Sequence, residues 1–215
     1  MLRWLINLLF PPKCVLCRRI LQKQETDLCR ECRADAPEFT KSKRRIPFVA
    51  QWTGIWYYSD NVRGSIHRYK FSNARRYAAA YAKLLAVRLQ KEEMDSFDIL
   101  SWIPVSASRK RKRGYDQSQL LAEALGQELG CEAVAVLKKY RNNPPQSTLT
   151  LQAERRANVL NVYAVTDPAL IRGKRILLVD DVVTTGATAS ECGKTLLIHG
   201  AKEITLATVA VAVKN

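Results

Sequence analysis

Residues Ile176 to Thr188 read ILLVDDVVTTGAT, and this stretch restricts the fold of the 215-residue chain more tightly than any other. Four apolar residues follow Lys174 and Arg175 and end in adjacent Asp180 and Asp181. Such a run is too short for a helix and predicts a buried parallel strand. The carboxylates then fall at its C-terminal edge, where open α/β sheets bind ligands, and the loop beyond opens onto a helix whose first N–H groups are unpaired. A phosphate suits that position. Thr184, Thr185 and Thr188 supply hydroxyls, and Gly186 lets the backbone approach an anion that a Cβ would push away. One Asp and one Thr would mean only a tight turn with a helix cap. Two neighbouring carboxylates repel by on the order of 1 to 4 kcal/mol at surface-like dielectrics, which calls for a cation or a hydroxyl-rich ligand.

The rest of the chain alternates strand and helix patterns around that stretch. Ile55 to Tyr58 reads as a short aromatic strand, about Arg75 to Gln90 as a helix with an inward Tyr/Leu stripe, Ile99 to Val105 as a buried strand and Gln117 to Leu129 as a helix. Ala133 to Leu137 is a further short strand, Thr188 to His199 a helix and Ile204 to Val213 the last strand. The order implies a parallel α/β sheet. After Val105 come Ser106, Ala107 and Ser108, then five basic residues from Arg109 to Arg113. This segment reads either as a second anion-binding loop at the same sheet edge or as a basic surface helix start. The polar stretch from Lys138 to Asn158 contains Pro144 and Pro145, and it fits a lid or a plain surface loop. Gly193-Lys194-Thr195 is no P-loop, because Thr188 stands where the earlier glycine belongs. His67 and His199 are single, so nothing supports a hydrolytic triad.

Cys14-Val-Leu-Cys17 and Cys29-Arg-Glu-Cys32 are two CxxC pairs eleven residues apart. Two such turns complete a tetrahedral Cys₄ site, which points to structural zinc held by Cys14, Cys17, Cys29 and Cys32; a redox pair is the alternative. Cys131 and Cys192 lack partners and are expected in the core. Four paired cysteines in a chain this long fit a reducing cytoplasm better than a secreted disulfide framework. The apolar opening, Met1 to Phe10, is too short to span a bilayer and is expected to be an amphipathic helix packed on the body, with weak membrane contact the minority option. A basic, proline-bracketed linker from Pro37 to Pro47 would separate residues 1–40, helix and zinc knuckle, from residues 48–215. A formal net charge of +15 favours a polyanionic partner: a pyrophosphate ligand, nucleic acid or an anionic membrane surface.

Ile176 to Thr188 resembles the phosphoribosyl pyrophosphate (PRPP) signature of type I phosphoribosyltransferases. With the two CxxC pairs and the RKRGYDQ, QSTL and ERRAN segments in this order, nearly the whole chain resembles the ComF/GntX family. The resemblance implies a parallel α/β sheet of the type I phosphoribosyltransferase kind, flanked by helices and preceded by a Cys₄ zinc knuckle. It implies Mg²⁺-dependent PRPP binding. Asp180 and Asp181 would take the ribose and the catalytic role, and PRPP would lie along Val182, Val183, Thr184, Thr185, Gly186, Ala187 and Thr188. Ser106, Arg109, Arg111 and Arg113 are candidates for the pyrophosphate, with Arg155 closing from the lid. The family carries Asn at the position of Asp116. The resemblance further implies work in natural transformation on the cytoplasmic side, with single-stranded DNA and a helicase-like partner, while other members are linked to gluconate utilisation. The acceptor and the oligomeric state stay open. The rival reading is a non-catalytic module that binds single-stranded nucleic acid through its basic surface and zinc knuckle.

Overall fold

The computed structural model describes residues 11–40, 44–140 and 162–212. The helix expected at residues 1–10 and the lid expected at 138–158, apart from its first three residues, lie outside them, as does Arg155. A short helix α1 (Arg30–Asp35) follows the cysteine-bearing segment, and a four-stranded parallel sheet forms the body. Its strands are β1 (Gln51–Tyr57), β2 (Ile99–Trp102), β5 (Arg175–Val183) and β6 (Glu203–Val211), in the spatial order β1-β6-β5-β2. Strand β5 is interior, so both its faces are covered. Leu177 and Val179 pack with α2 (Asp60–Phe71), α3 (Tyr77–Lys91) and α5 (Gln117–Leu129). Ile176 and Leu178 pack instead with Ile171 of the short helix α6 (Pro168–Ile171), with α7 (Ala187–Ile198) and with a separate antiparallel pair, β3 (Leu137–Lys139) and β4 (Tyr163–Val165). This two-sided burial is why the strand reads as a continuous apolar run.

Several local expectations change. Strand β5 does not stop at the carboxylates. It continues through both, because β6 pairs with it as far as Val183↔Val211, while β2 ends opposite Val179. The basic run after Val105 is helix α4 (Ala107–Arg113), capped by the Ser106 side chain and ended by Gly114 at φ 79°. Ala, Arg and Lys are strong helix formers, and that propensity outweighs a loop. Helix α2 escapes the periodicity, since Ser65 interrupts its buried stripe of Val62, Ile66 and Tyr69. Ala133 makes only a bridge to Leu100, and the strand begins at Leu137. Cys131 is exposed, placed just after the Gly130 turn that ends α5, whereas Cys192 is fully buried.

Described residues on both sides of 41–43 in the proline-bracketed stretch contact the body. Glu38 bridges Trp56 at the outer edge of β1, Phe39 and Ile46 are buried, and Arg88 of α3 donates to the carbonyls of Gly54 and Phe39. That clamp covers a sheet edge that would otherwise present unpaired backbone groups.

Candidate functional site

The pleat of β5 sends its two carboxylates toward different neighbours. Asp181 is buried, and its Oδ1 lies 2.9 Å from the Lys70 ammonium at the end of α2. Its Oδ2 is buried with no hydrogen-bond partner among the described residues. Asp180 is half-buried and has no salt bridge among the described residues; its Oδ1 accepts from the Ser118 hydroxyl at 3.0 Å and from the Asp181 N–H at 2.8 Å. Burial, then the Asp181 charge, push the Asp180 carboxyl up to about 7, and the more distant Lys70 offsets only part of that. Because β2 ends opposite Val179, no strand among the described residues flanks Asp180 on that side, and Ser118 at the head of α5 reaches it there.

Helix α5 owes its start to Asp116. The carboxylate accepts from the N–H groups of Ser118, Gln119 and Val105, tying the helix to the end of β2. A carboxylate serves an N-cap as well as an amide does, so Asp at this position keeps the local structure. Burial raises the Asp116 pKa, and the three N–H donors counter it.

Beyond β5 the chain makes a three-residue turn, Thr184 to Gly186, into α7. Gly186 sits at φ 78° and caps the helix. A Cβ there would meet Ile46 at 3.0 Å and the Arg44 guanidinium at 3.1 Å, so both the backbone angle and the space require glycine. Thr185 Oγ1 accepts from the Ala187 N–H. Val182 and Thr184 are half-buried, as are Ala187 and Thr188, while Val183 is packed in the core. The first turn of a twelve-residue helix thus follows the carboxylates directly, with its positive end and threonine hydroxyls at hand.

Of the basic residues expected at the site and described, Arg109 is electrostatically linked to the carboxylates. Burial, then Arg113, lower its pKa, and it senses the Asp181 charge. Ser106 is buried as the α4 cap, and its Oγ accepts from the Arg109 N–H. Arg113 donates to Gln117 Oε1 at 2.7 Å and lies over the Phe71 ring; Arg111 is exposed. Four residues at the site were absent from the sequence expectations: Lys70, Ser118, Lys139 and Tyr163. Lys139 and Tyr163 are opposite partners in the β3–β4 pair, and both sense Asp180. Burial, then Arg109, lower the Lys139 pKa. No local motif marks these four, because each meets Asp180 or Asp181 only through the tertiary fold.

The sulfurs of Cys14, Cys17, Cys29 and Cys32 all lie within 4.8 Å of one another. That is the spacing of a closed four-thiolate site, and the donor set suits zinc with no position left for catalysis. Burial tends to raise the Cys14 thiol, yet N–H donors from Cys29, Cys17 and Leu16 bring it down to about 7, whereas burial pushes the Cys17 and Cys32 thiols up. Among the described residues no helix is long and apolar enough to cross a membrane. A groove of about 1000 Å³ beside the start of β1, lined by Ile46, Trp52 and Met94 among others, includes none of residues 180–188.

Residues 116–214 match the phosphoribosyl transferase domain, and residues 5–44 match the double zinc ribbon domain. DNA utilization protein YhgH of Salmonella typhimurium is 27% identical over 200 residues, covering 89% of this chain and 86% of that protein. Competence protein F of Haemophilus influenzae is 27% identical over 215 residues, covering 89% and 93%. Among solved structures, the allosteric regulatory enzyme of purine biosynthesis aligns with 66% of this chain at 20% identity and a TM-score of 0.44; the match spans 29% of that larger chain.

Proposed function

From a chain of the ComF/GntX family, a structural zinc ribbon joined to a phosphoribosyltransferase domain, we propose that the protein binds PRPP with Mg²⁺ along residues 180–188 and transfers its phosphoribosyl group to an unidentified nucleophilic acceptor, which bonds to C1′ as pyrophosphate leaves. The observation that carries this is a carboxylate pair leading directly into a Thr–Gly turn at a helix N-terminus, with a buried Asp181 oxygen that has no hydrogen-bond donor among the described residues. Such an oxygen fits a sugar hydroxyl or a cation held by the two aspartates. Mg²⁺ bound there would neutralise the carboxylates and the pyrophosphate charge.

The chain's own residues divide the work. Asp180 and Asp181 hold the ribose and oppose the positive charge that develops on the ring as the C1′–O bond to pyrophosphate breaks. Residues 184–188 fix the 5′-phosphate, and Arg109 and Arg113 draw on the departing pyrophosphate, with Ser106 setting the start of their helix and Arg155 completing the set. Holding both ends of the ligand supplies the orientation that makes displacement fast. The relatives' names, DNA utilization protein and competence protein F, support a setting in DNA uptake or utilization; a cytoplasmic site of action beside a helicase-like partner is the finer part of this proposal.

Calorimetric titration of PRPP with and without Mg²⁺ tests this. Binding should require Mg²⁺ and vanish when Asp180→Asn and Asp181→Asn are combined; equal heat from wild type and that double variant refutes the assignment. The net charge of +15 favours a second reading, a non-catalytic module on single-stranded nucleic acid. It requires oligonucleotide affinity that falls steeply with salt and weakens when residues 109–113 are neutralised, and affinity indifferent to salt would dispose of it.

A further inference from the structure

Helix α2 is gripped from two sides. On one side, Ser65 Oγ donates to the Val15 carbonyl, and the Arg68 guanidinium donates to the carbonyls of Val15 and Leu16. Val15 and Leu16 are the two residues between Cys14 and Cys17, both buried, so the turn that brings these two sulfurs together also aims the acceptors at α2. Ser65 is further held by Tyr81, and Arg68 by Tyr77, both from α3. On the other side, Lys70 meets Asp181 at 2.9 Å. Residues two apart on a helix lie about 200° apart, so Arg68 and Lys70 necessarily face opposite ways. Between them, Tyr69 donates through its hydroxyl to the Gln117 carbonyl, one residue before the Ser118 that holds Asp180.

We infer that Ser65 and Arg68 are positioning residues that carry the geometry of the cysteine knuckle through α2 to Lys70, so that the ionic partner of Asp181 depends on an intact knuckle. A helix holding a lysine against a carboxylate could in principle be anchored by its apolar stripe alone. Here the stripe is interrupted at Ser65, whose hydroxyl is spent on the knuckle and Tyr81, and Arg68 gives two hydrogen bonds to the knuckle backbone. The knuckle is thereby part of the mount of the site and does more than decorate the N-terminus.

The test uses the full chain and two readouts. The first needs no ligand: NMR of the Lys70 side chain and the Asp181 carboxyl carbon. Arg68→Gln should shift both signals while zinc stays at about one per chain. Arg68→Lys, which can still donate to the carbonyls, should restore them, and Cys17→Ser should lose zinc and shift the same signals. If Arg68→Gln does not fold, Ser65→Ala, which keeps the Cβ, carries the same comparison. The second readout rests on the function proposed above: PRPP affinity should weaken roughly 3- to 30-fold in Arg68→Gln, the range expected for coupling through a packed element. Zinc retained with Lys70 and Asp181 signals superposing on wild type overturns the inference. If wild type binds no PRPP, the function proposed above fails, and the ligand-free signals still decide this one.

Discussion

Asp180→Asn should stabilise the ligand-free protein at pH 8, although it removes a residue central to the candidate site. The carboxyl is pushed from its ordinary value of 3.8 up to about 7 in the folded state. Between those values the folded chain binds a proton that the unfolded chain has released, so this group's contribution to stability falls as pH rises through the window. At about 1.4 kcal/mol per pH unit the ceiling is roughly 4 kcal/mol. Solvent access to a half-buried group reduces the expected difference to about 2 kcal/mol. Asparagine keeps the oxygen that accepts from Ser118 and from the Asp181 N–H, so the hydrogen bonds survive while the charge goes. Urea unfolding of both proteins at half-unit steps from pH 4 to 8 reads the difference directly. The profiles should meet near pH 4 and diverge by about 2 kcal/mol at pH 8. Superposing profiles across the window would refute the account of Asp180 as a carboxyl held up to about 7 by burial and the neighbouring Asp181 charge.

Lys70→Met leaves the Asp181 carboxylate, with 6% of its side chain exposed, lacking its cation; unfolding at pH 7 should show a loss of about 3 kcal/mol. Adding Asp181→Asn should recover most of that loss, and a double-mutant cycle with no coupling would contradict the pair. Gly193→Ala tests the close approach of the Phe48 backbone to α7. Alanine ordinarily gains about 1 kcal/mol inside a helix, but here its Cβ would lie 2.4 Å from the Phe48 carbonyl oxygen, so thermal melts should show a loss of about 2 kcal/mol. At pH 6 Asp180 is largely protonated when free, so Mg²⁺–PRPP binding should release close to one proton per site, measured by calorimetry in buffers of different ionisation enthalpy. No proton release at that pH would count against Asp180 as a ligand group.

The parts of the fold legible in the sequence are those whose reason is local. Ile176 to Val179 had to be a doubly covered strand, the CxxC pairs had to converge, and the α5 boundaries follow from Asp116 and Gly130. What was lost is tertiary. Helix α2 hides because the polar residue in its stripe faces the knuckle and not solvent. The basic run could be a loop or a helix until Ser106 and Gly114 were seen to cap it. The end of β5 depends on how far β6 pairs, which no local residue pattern states. At the site, Asp180 and Asp181 were named from sequence while Lys70, Ser118, Lys139 and Tyr163 were not, since their roles exist only by juxtaposition.

That juxtaposition explains how two adjacent carboxylates coexist and why they are not equivalent. The pleat separates them, and each face then offers different compensation. Asp181 has a lysine within ion-pair distance, and any ligand that takes it must share or displace Lys70. Among the described residues, Asp180 receives only a hydroxyl and a backbone N–H, neutral donors too weak to hold a negative charge in a half-buried position. A ligand bringing positive charge would therefore gain more at Asp180, where no cation is in contact among the described residues, than at Asp181, where Lys70 already stands. On the proposed reading, Asp181 is the fixed anchor and Asp180 the group whose ionisation follows the ligand.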